Sequence, residues 1–372
     1  MGSTHETDLV LAQPTPAERV KTYTSTYTNW GTALELEDYI RREEYMTTVP
    51  VSRNGGITQW ILTDPSLPPD ARPILSSCES IRKRVLVARP DGAVVEAITH
   101  AVGSVFTDPA HRGNGYASVM MGMIGSALAR WQGAEMAKGE KWGDIRDGEV
   151  ACSVLYSDIG KKFYAKHGWH PYESTHLEFP PQTTAEGSLP REAVPLGYHE
   201  LAELCAVDER LLRAKLATKS DKTRVSLLPD IDAMLWHLMR EDYMTKHIFG
   251  KTPTVRGGVV GEPGSRGYYG GLKKPEGNTM HILRLAIEDE ASSDQFIREA
   301  IEALLKLARA EAAEWKVNNV EMWNPDPRVR DLIEKAGIPH EFIERERDSI
   351  ASLMWYGDGE VEWVLNEKFG WC

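Results

Sequence analysis

Residues Val105 to Ala117 read VFTDPAHRGNGYA: a β-branched and aromatic run, then a loop with Gly113 and Gly115, then at once a helical period. Ala117, Met120, Ile124, Leu128 and Trp131 recur at helical spacing and mark one apolar face. A strand that feeds a helix through a glycine turn aims several backbone N–H groups at one point. The helix N-terminus adds its unpaired donors and the positive end of its dipole. Glycine keeps side chains out of an anion's path to that backbone. The segment is expected to be an anion site within a framework of strands and helices. It is no dinucleotide fingerprint, because the third glycine and the acidic strand end are missing, and no Walker loop, because no Gly-Lys-Ser/Thr follows. A plain strand-to-helix turn carries the same two glycines, so the neighbouring segments decide.

Strands and helices alternate through residue 178. DLVLAQ, Asp8 to Gln13, reads as a short strand ended by Pro14, and Pro16 takes the favoured first-turn position of a helix. Ile57–Leu62, Ile81–Ala88 and Val94–Thr107 are β-rich, and Gly103 inside the last predicts a bulge. Ala151–Tyr156 returns to strand character, and Asp158 is placed to cap a helix running to His167. Gly133–Glu149 reads as a charged surface insertion, and FPPQTTAEGSLPREAVP, Phe179 to Pro195, as a linker. The expected division is a first domain 1–180, a linker 181–195 and a second domain 196–372.

Arg112-Gly-Asn-Gly-Tyr-Ala117 resembles the R-x-x-G-x-G/A pyrophosphate loop of the GCN5-related N-acetyltransferases. After strand 151–156, YSDIGKKFYAKHGW (Tyr156 to Trp169) is similar to that family's second signature. The resemblance covers residues 8–178. It implies an α+β fold, a mixed and mostly antiparallel sheet flanked by helices, in which strands 94–107 and 151–156 splay to admit the pantetheine arm of acetyl-CoA. It places the diphosphate on Arg112, Gly113, Asn114, Gly115, Tyr116 and Ala117, and pantetheine on the backbone of Val105, Phe106 and Thr107. Ser157 stands where the family usually has Asn and Gly160 where it usually has Ala; the resemblance implies that Ser157, whose hydroxyl can still hydrogen-bond, and Tyr164 contact the cosubstrate.

The chemistry so implied is aminolysis of a thioester. An alkyl ammonium with a pKa near ~10.4 must lose a proton to a positioned base, and the departing thiolate must gain one. The resemblance gives the second role to Tyr164. Glu96 and His100 share strand parity just before the loop and are candidate bases, although a lone strand histidine is more often structural. His111 at the loop is read as solvent-exposed.

The wider arrangement, with GSVFTDPAHRGNGYAS at Gly103–Ser118 and a tryptophan-rich tail, resembles the fungal lysine acetyltransferases that act on the side-chain amine. Free L-lysine is the expected acceptor. Another small amine, of the aminoglycoside or arylalkylamine type, and a catalytically silent acetyl-CoA-binding protein are the alternatives. LELEDYIRREEY carries Glu35, Glu37, Asp38, Glu43 and Glu44, an acidic rim or simply a solvated helix face. From the long helix onward the second half repeats the order of the first. Where the glycine loop would stand it has the acidic IEDEASSDQ, and so it reads as a degenerate acetyltransferase-like unit without acetyl-CoA. The tail Val361–Cys372 alternates like a strand. Either it packs as an edge on its own domain, or Trp371 and the Cys372 carboxylate reach the acceptor site.

Among 372 residues, 43 basic against 55 acidic side chains leave −12, which disfavours nucleic acid and anionic membranes as partners. No segment approaches the ~20 apolar residues of a membrane span, and Met1–Asp8 has no secretory core. Cys78, Cys152, Cys205 and Cys372 lie far apart, which argues against a disulfide scaffold or a cysteine-built zinc site. The expectation is a cytoplasmic protein with acetyl-CoA as cosubstrate and no metal.

Overall fold

The computed structural model describes residues 9–133, 145–183, 191–274 and 279–372, with residues 268–274 as backbone alone. The polar N-terminus, most of the expected insertion and the centre of the expected linker lie outside the described residues. In chain order the elements are β1 (Val10–Ala12), α1 (Pro16–Trp30), α2 (Leu36–Met46), β2 (Ile57–Thr63), β3 (Ser76–Ala88), β4 (Val94–Phe106), α3 (Tyr116–Leu128), β5 (Val150–Ser157) and α4 (Lys162–Ala165). Then come β6 (His170–Pro171), β7 (Thr175–Phe179), β8 (Val194–Leu196), α5 (Tyr198–Leu216), β9 (Thr223–Leu227), α6 (Ile231–Phe249), β10 (Gly257–Val260) and β11 (Gly267–Lys274). The chain closes with β12 (Thr279–Ile287), α7 (Asp294–Glu314), β13 (Asn319–Trp323), α8 (Pro327–Ala336), β14 (Glu341–Glu344), β15 (Ile350–Trp355) and β16 (Val361–Trp363).

Local chemistry accounts for the starts of several elements. Thr15 and Glu18 form a capping box ahead of Pro16, so α1 begins where its free N–H groups are satisfied. Glu18 also accepts from Arg72 Nε at 2.8 Å, which ties α1 to the turn before β3. In α2 the buried residues are Tyr39, Arg42 and Met46, at helical spacing. Glu37 and Asp38 pair with exposed Arg41 on the opposite face. The charged run is thus a solvated face in part, while Arg42 is buried and turns toward Glu43.

The strands form two sheets. One runs β1-β2-β3-β4-β5-β15-β6, with β9 on the far end of β3 and β16 on β9; the other runs β14-β7-β13-β12-β11-β10-β8. Read from the matching end, the second is β8-β10-β11-β12-β13-β7-β14. Each sheet has a parallel pair, β4–β5 or β12–β13, bridged by a long helix, α3 or α7. In each, the next strand comes from the other half of the chain: β15 joins β5 and β6, while β7 joins β13 and β14. The second half therefore repeats the first, and the two units exchange one strand. Sheet membership cuts across the expected boundary at 181–195.

Two elements differ from the sequence reading. Helix α4 covers only Lys162–Ala165, and Asp158 instead accepts from Ser349 N at 2.9 Å. The tail does not continue as a strand to its end. After β16 it turns at Leu365, whose φ is 57°, and closes in a 3-10 turn at Lys368–Gly370.

Candidate functional site

The loop at 108–117 has the shape its glycines demand. Asp108 accepts from Ala110 N at 2.9 Å and starts a short 3-10 turn, Pro109–His111. Gly113 and Gly115 then take left-handed φ of 83° and 78°, which side chains resist. A Cβ at either would have nothing within 4 Å, so both backbones face open space. Gly115 opens α3 without a side-chain cap, which leaves the first-turn amides for an outside acceptor. Arg112 Nε donates to Thr107 O at 3.1 Å and Asn114 Nδ2 to His111 O at 3.0 Å, holding the loop while the Arg112 side chain stays exposed. Tyr116 meets the ring of His111 edge-on at 6.3 Å, and Ala117 follows in the first helical turn.

Strands β4 and β5 pair in parallel from Ile98/Val150 to Val102/Leu155 and no further. Beyond that point Tyr156 and Ser157 pair with β15, whereas Val105, Phe106 and Thr107 keep company with β3 alone. Ser76 Oγ donates to Phe106 O at 2.8 Å and contacts Thr107 Oγ1 at 3.1 Å. The free edge of β4 therefore opens a slot that leads from the glycine loop into the sheet. The predicted bulge is present: Ser77 pairs with Phe106 but Glu79 with Gly103, so β4 carries the extra residue, and Ser104 takes φ 53°. Ser157 is buried and spends its hydroxyl on Gly160 O, at 2.8 Å, and on Ile159 N. It builds the turn, and Gly160 at φ 80° explains the glycine found there.

Tyr164 packs against the apolar cluster that holds Cys78, Met120, Leu155 and Trp169. Burial pushes its phenol well above the ordinary range, so it is a neutral O–H donor at any working pH. The two expected bases are placed elsewhere. His100 is fully buried, with Nε2 on Trp131 O at 2.8 Å, and burial lowers its pKa to about 4. Glu96 lies in an ion-pair cluster with Arg84 and Arg213, and Arg84 donates to it at 2.7 Å, which holds its carboxyl below the usual range. Neither lines the slot.

A carboxylate beside the β4 bulge is Glu79. It faces a cleft that Glu43, Tyr23, Tyr39, Arg19 and Cys78 also line. Ser104 Oγ donates to Glu79 Oε1 at 2.8 Å, so the bulge itself orients the group. Burial first and the Glu43 charge second raise its pKa to about 7. Arg42 donates to Glu43 at 2.6 Å. The legible signal for Glu79 was a lone carboxylate inside a strand, SSCESIRKR, at the level of the Gly103 irregularity.

Cys372 lies at the same place. A side chain at Gly103 would begin 3.5 Å from Cys372 Sγ and 3.8 Å from its carbonyl oxygen. Burial pushes the Cys372 thiol up to about 11, so the group stays protonated near neutral pH. Lys83 Nζ holds the carbonyl of Gly370 at 2.8 Å, and His237 Nε2 contacts Phe369 O at 3.1 Å.

The second half has the slot without the loop. Strand β12 leaves β13 after Ile282/Met322, but Glu367 accepts from Leu285 N at 3.2 Å and Arg284 at 2.7 Å there. Helix α7 is capped by its own Ser293. Arg328 fills the turn before it by donating to Glu290 O and Ser292 O. Every feature that leaves donors open at α3 is closed by the chain itself at α7.

Residues 176–372 match the family model described as the LYC1 GNAT-like C-terminal domain. A lysine acetyltransferase of Yarrowia lipolytica is 22% identical over 96% of this chain and 98% of its own. An uncharacterized protein of Saccharomyces cerevisiae is 21% identical over 91% and 87%. Among solved structures, a probable N-acyltransferase of unknown function from Enterococcus faecalis superposes with a TM-score of 0.54 at 12% identity, over 94% of this chain and 73% of that one.

Proposed function

The chain belongs to the GNAT-type N-acetyltransferases whose second half is the LYC1 GNAT-like C-terminal domain, and on that premise we propose that it acetylates the side-chain amine of free L-lysine. The observation that carries the reading is the pair of carboxylates, Glu43 and Glu79, lining one cleft beside the β4 bulge. Glu79, held by Ser104, and Glu43, held by Arg42, together carry more negative than positive charge into the cleft, which suits an alkyl ammonium. Arg19 lines the same cleft and makes no ion pair among the described residues, which suits it to an α-carboxylate.

The glycine loop fits a diphosphate, since its backbone is uncapped and open. Arg112 and the amides of Gly113 to Ala117 would hold that group, and the N–H groups of Val105 to Thr107 the pantetheine arm. Acetyl-CoA, when bound, supplies the thioester carbonyl and the thiolate that leaves. In our reading Glu79 takes the proton from the ammonium, and its pKa near 7 matches that task. Ser104 keeps its carboxylate aimed into the cleft. Tyr164 holds a proton beside Cys78 and gives it to the departing sulfur.

Replacing Glu43 by Gln is expected to raise the KM for lysine about 10-fold or more and leave the KM for acetyl-CoA unchanged. Tyr164→Phe is expected to lower kcat about 100-fold. Both are read by thiol release, and an unchanged kcat in the second removes Tyr164 from the acid role.

A further inference from the structure

Strand β7 reads Thr-His-Leu-Glu-Phe, and the period of two sends Leu177 and Phe179 into the core under α7. His176 and Glu178 take the opposite face. On neighbouring β13, Glu321 and Trp323 share that face, and the register sets Glu321 against Glu178 and Trp323 against His176. The register continues with His281 opposite Glu321 and Glu341 opposite Glu178. One row of the sheet therefore reads His281, Glu321, Glu178, Glu341, with carboxylates on three consecutive strands. Like charges directly opposite one another destabilise a sheet, so this row calls for a cation.

We propose that His176, Glu178 and Glu321 form a binding site for a divalent metal ion of the zinc class. The ligand atoms of these three residues lie within 4.8 Å of one another. His176 Nε2 is 3.8 Å from Glu178 Oε2, and His281 Nδ1 is 3.4 Å from Glu321 Oε2. Two ligands on one tetrahedral zinc stand about 3.3 Å apart, so small side-chain shifts close the shell. His176 is only 6% exposed, yet neither of its ring nitrogens has a hydrogen-bond partner among the described residues. A buried imidazole in that condition is costly unless something binds it. Trp323 Nε1 donates to Glu321 Oε2 at 3.0 Å, the outer contact that fixes a ligating carboxylate.

The Arg345 guanidinium and the buried Lys368 ammonium both lie over the Trp323 ring, at 3.8 and 3.9 Å, and Arg345 faces Glu321, yet neither partners the ring nitrogens of His176. An imidazole with two carboxylates selects zinc-like ions over magnesium or calcium, and three protein ligands leave a position for water. Glu178 is 34% exposed at its side chain, which gives the ion a way in. The ion would clamp β7, the strand lent by the first half, to β13 of the second.

The test uses the full chain, freed of metal by a chelator, treated with zinc chloride and passed through gel filtration. One equivalent of zinc is expected to remain. His176→Ala and Glu321→Gln should each cut retention at least 10-fold, while Glu341→Gln, at the exposed end of the row, should retain it. X-ray absorption on the wild-type protein keeps the proposal testable if a variant does not fold, with a first shell of nitrogen and oxygen expected. No retained zinc, retention unchanged in both His176→Ala and Glu321→Gln, or a sulfur-containing shell overturns the site.

Discussion

Lys83 Nζ donates to the carbonyl oxygens of Gly370 at 2.8 Å and Trp371 at 3.1 Å, binding the middle of β3 to residues almost 300 positions later. The ammonium is fully buried and burial lowers its pKa, so its place depends on those two carbonyls. Gly370 is confined as well, because a Cβ there would lie 2.6 Å from Tyr156 Oη. Lys83→Met strands two buried carbonyls at about 1–3 kcal/mol each. Lys83→Met, Gly370→Ala and deletion of Phe369–Cys372 are each expected to cut turnover at least 10-fold with little change in circular dichroism. Unchanged kinetics in all three would separate the tail from the reaction.

The pH dependence follows from Glu79. Its carboxyl in the folded chain titrates at about 7 rather than at the ordinary 4.5, so below pH 7 it is protonated and cannot accept from the substrate. The kcat/KM for lysine should therefore climb tenfold per pH unit and level off above about pH 7. Glu79→Gln should erase that limb and lower the plateau about 100-fold. Stability moves the other way. A carboxyl with a raised folded-state pKa stabilises most below 4.5 and loses that contribution as pH rises through 7. The Gln variant should thus melt higher than wild type at pH 8.

The glycine loop predicts a split in kinetic constants. Gly115→Ala forces a side chain to φ 78°, at about 1–2 kcal/mol, and places a methyl in the open space before α3. Arg112→Ala removes a charged donor worth about 1.5–3 kcal/mol in a formed complex. Both should raise the KM for acetyl-CoA about 10-fold or more and leave the KM for lysine near wild type in initial-rate measurements.

What the sequence disclosed and what it hid follow from the range of the interactions. The strand–glycine–helix segment was legible because its φ angles and amides are local properties of Gly113, Gly115 and the residues after them. The repeat was legible from element order. The exchange of β7 and β15 was hidden, because a strand's own pattern names a buried face and not the sheet that receives it. His100 and Glu96 share strand parity just before the loop, but parity cannot tell that one meets Trp131 O and the other Arg84 and Arg213. Glu79 became distinct only through a bulge in β4 and the burial that α1 and α2 impose. Trp371 and Cys372 turn away from the strand pattern at Leu365, a left-handed residue that no local signal marks.

The central claim is that the Glu43–Glu79 cleft selects the lysine side-chain amine. Thiol release from acetyl-CoA, measured with L-lysine, L-ornithine and phenylethylamine on the wild-type chain, tests it most directly. The account predicts turnover with lysine, a kcat/KM about 10–100-fold lower for ornithine, one methylene shorter, and almost none with the arylalkylamine. Equal or faster turnover of phenylethylamine, or thiol release indifferent to all three, would contradict it.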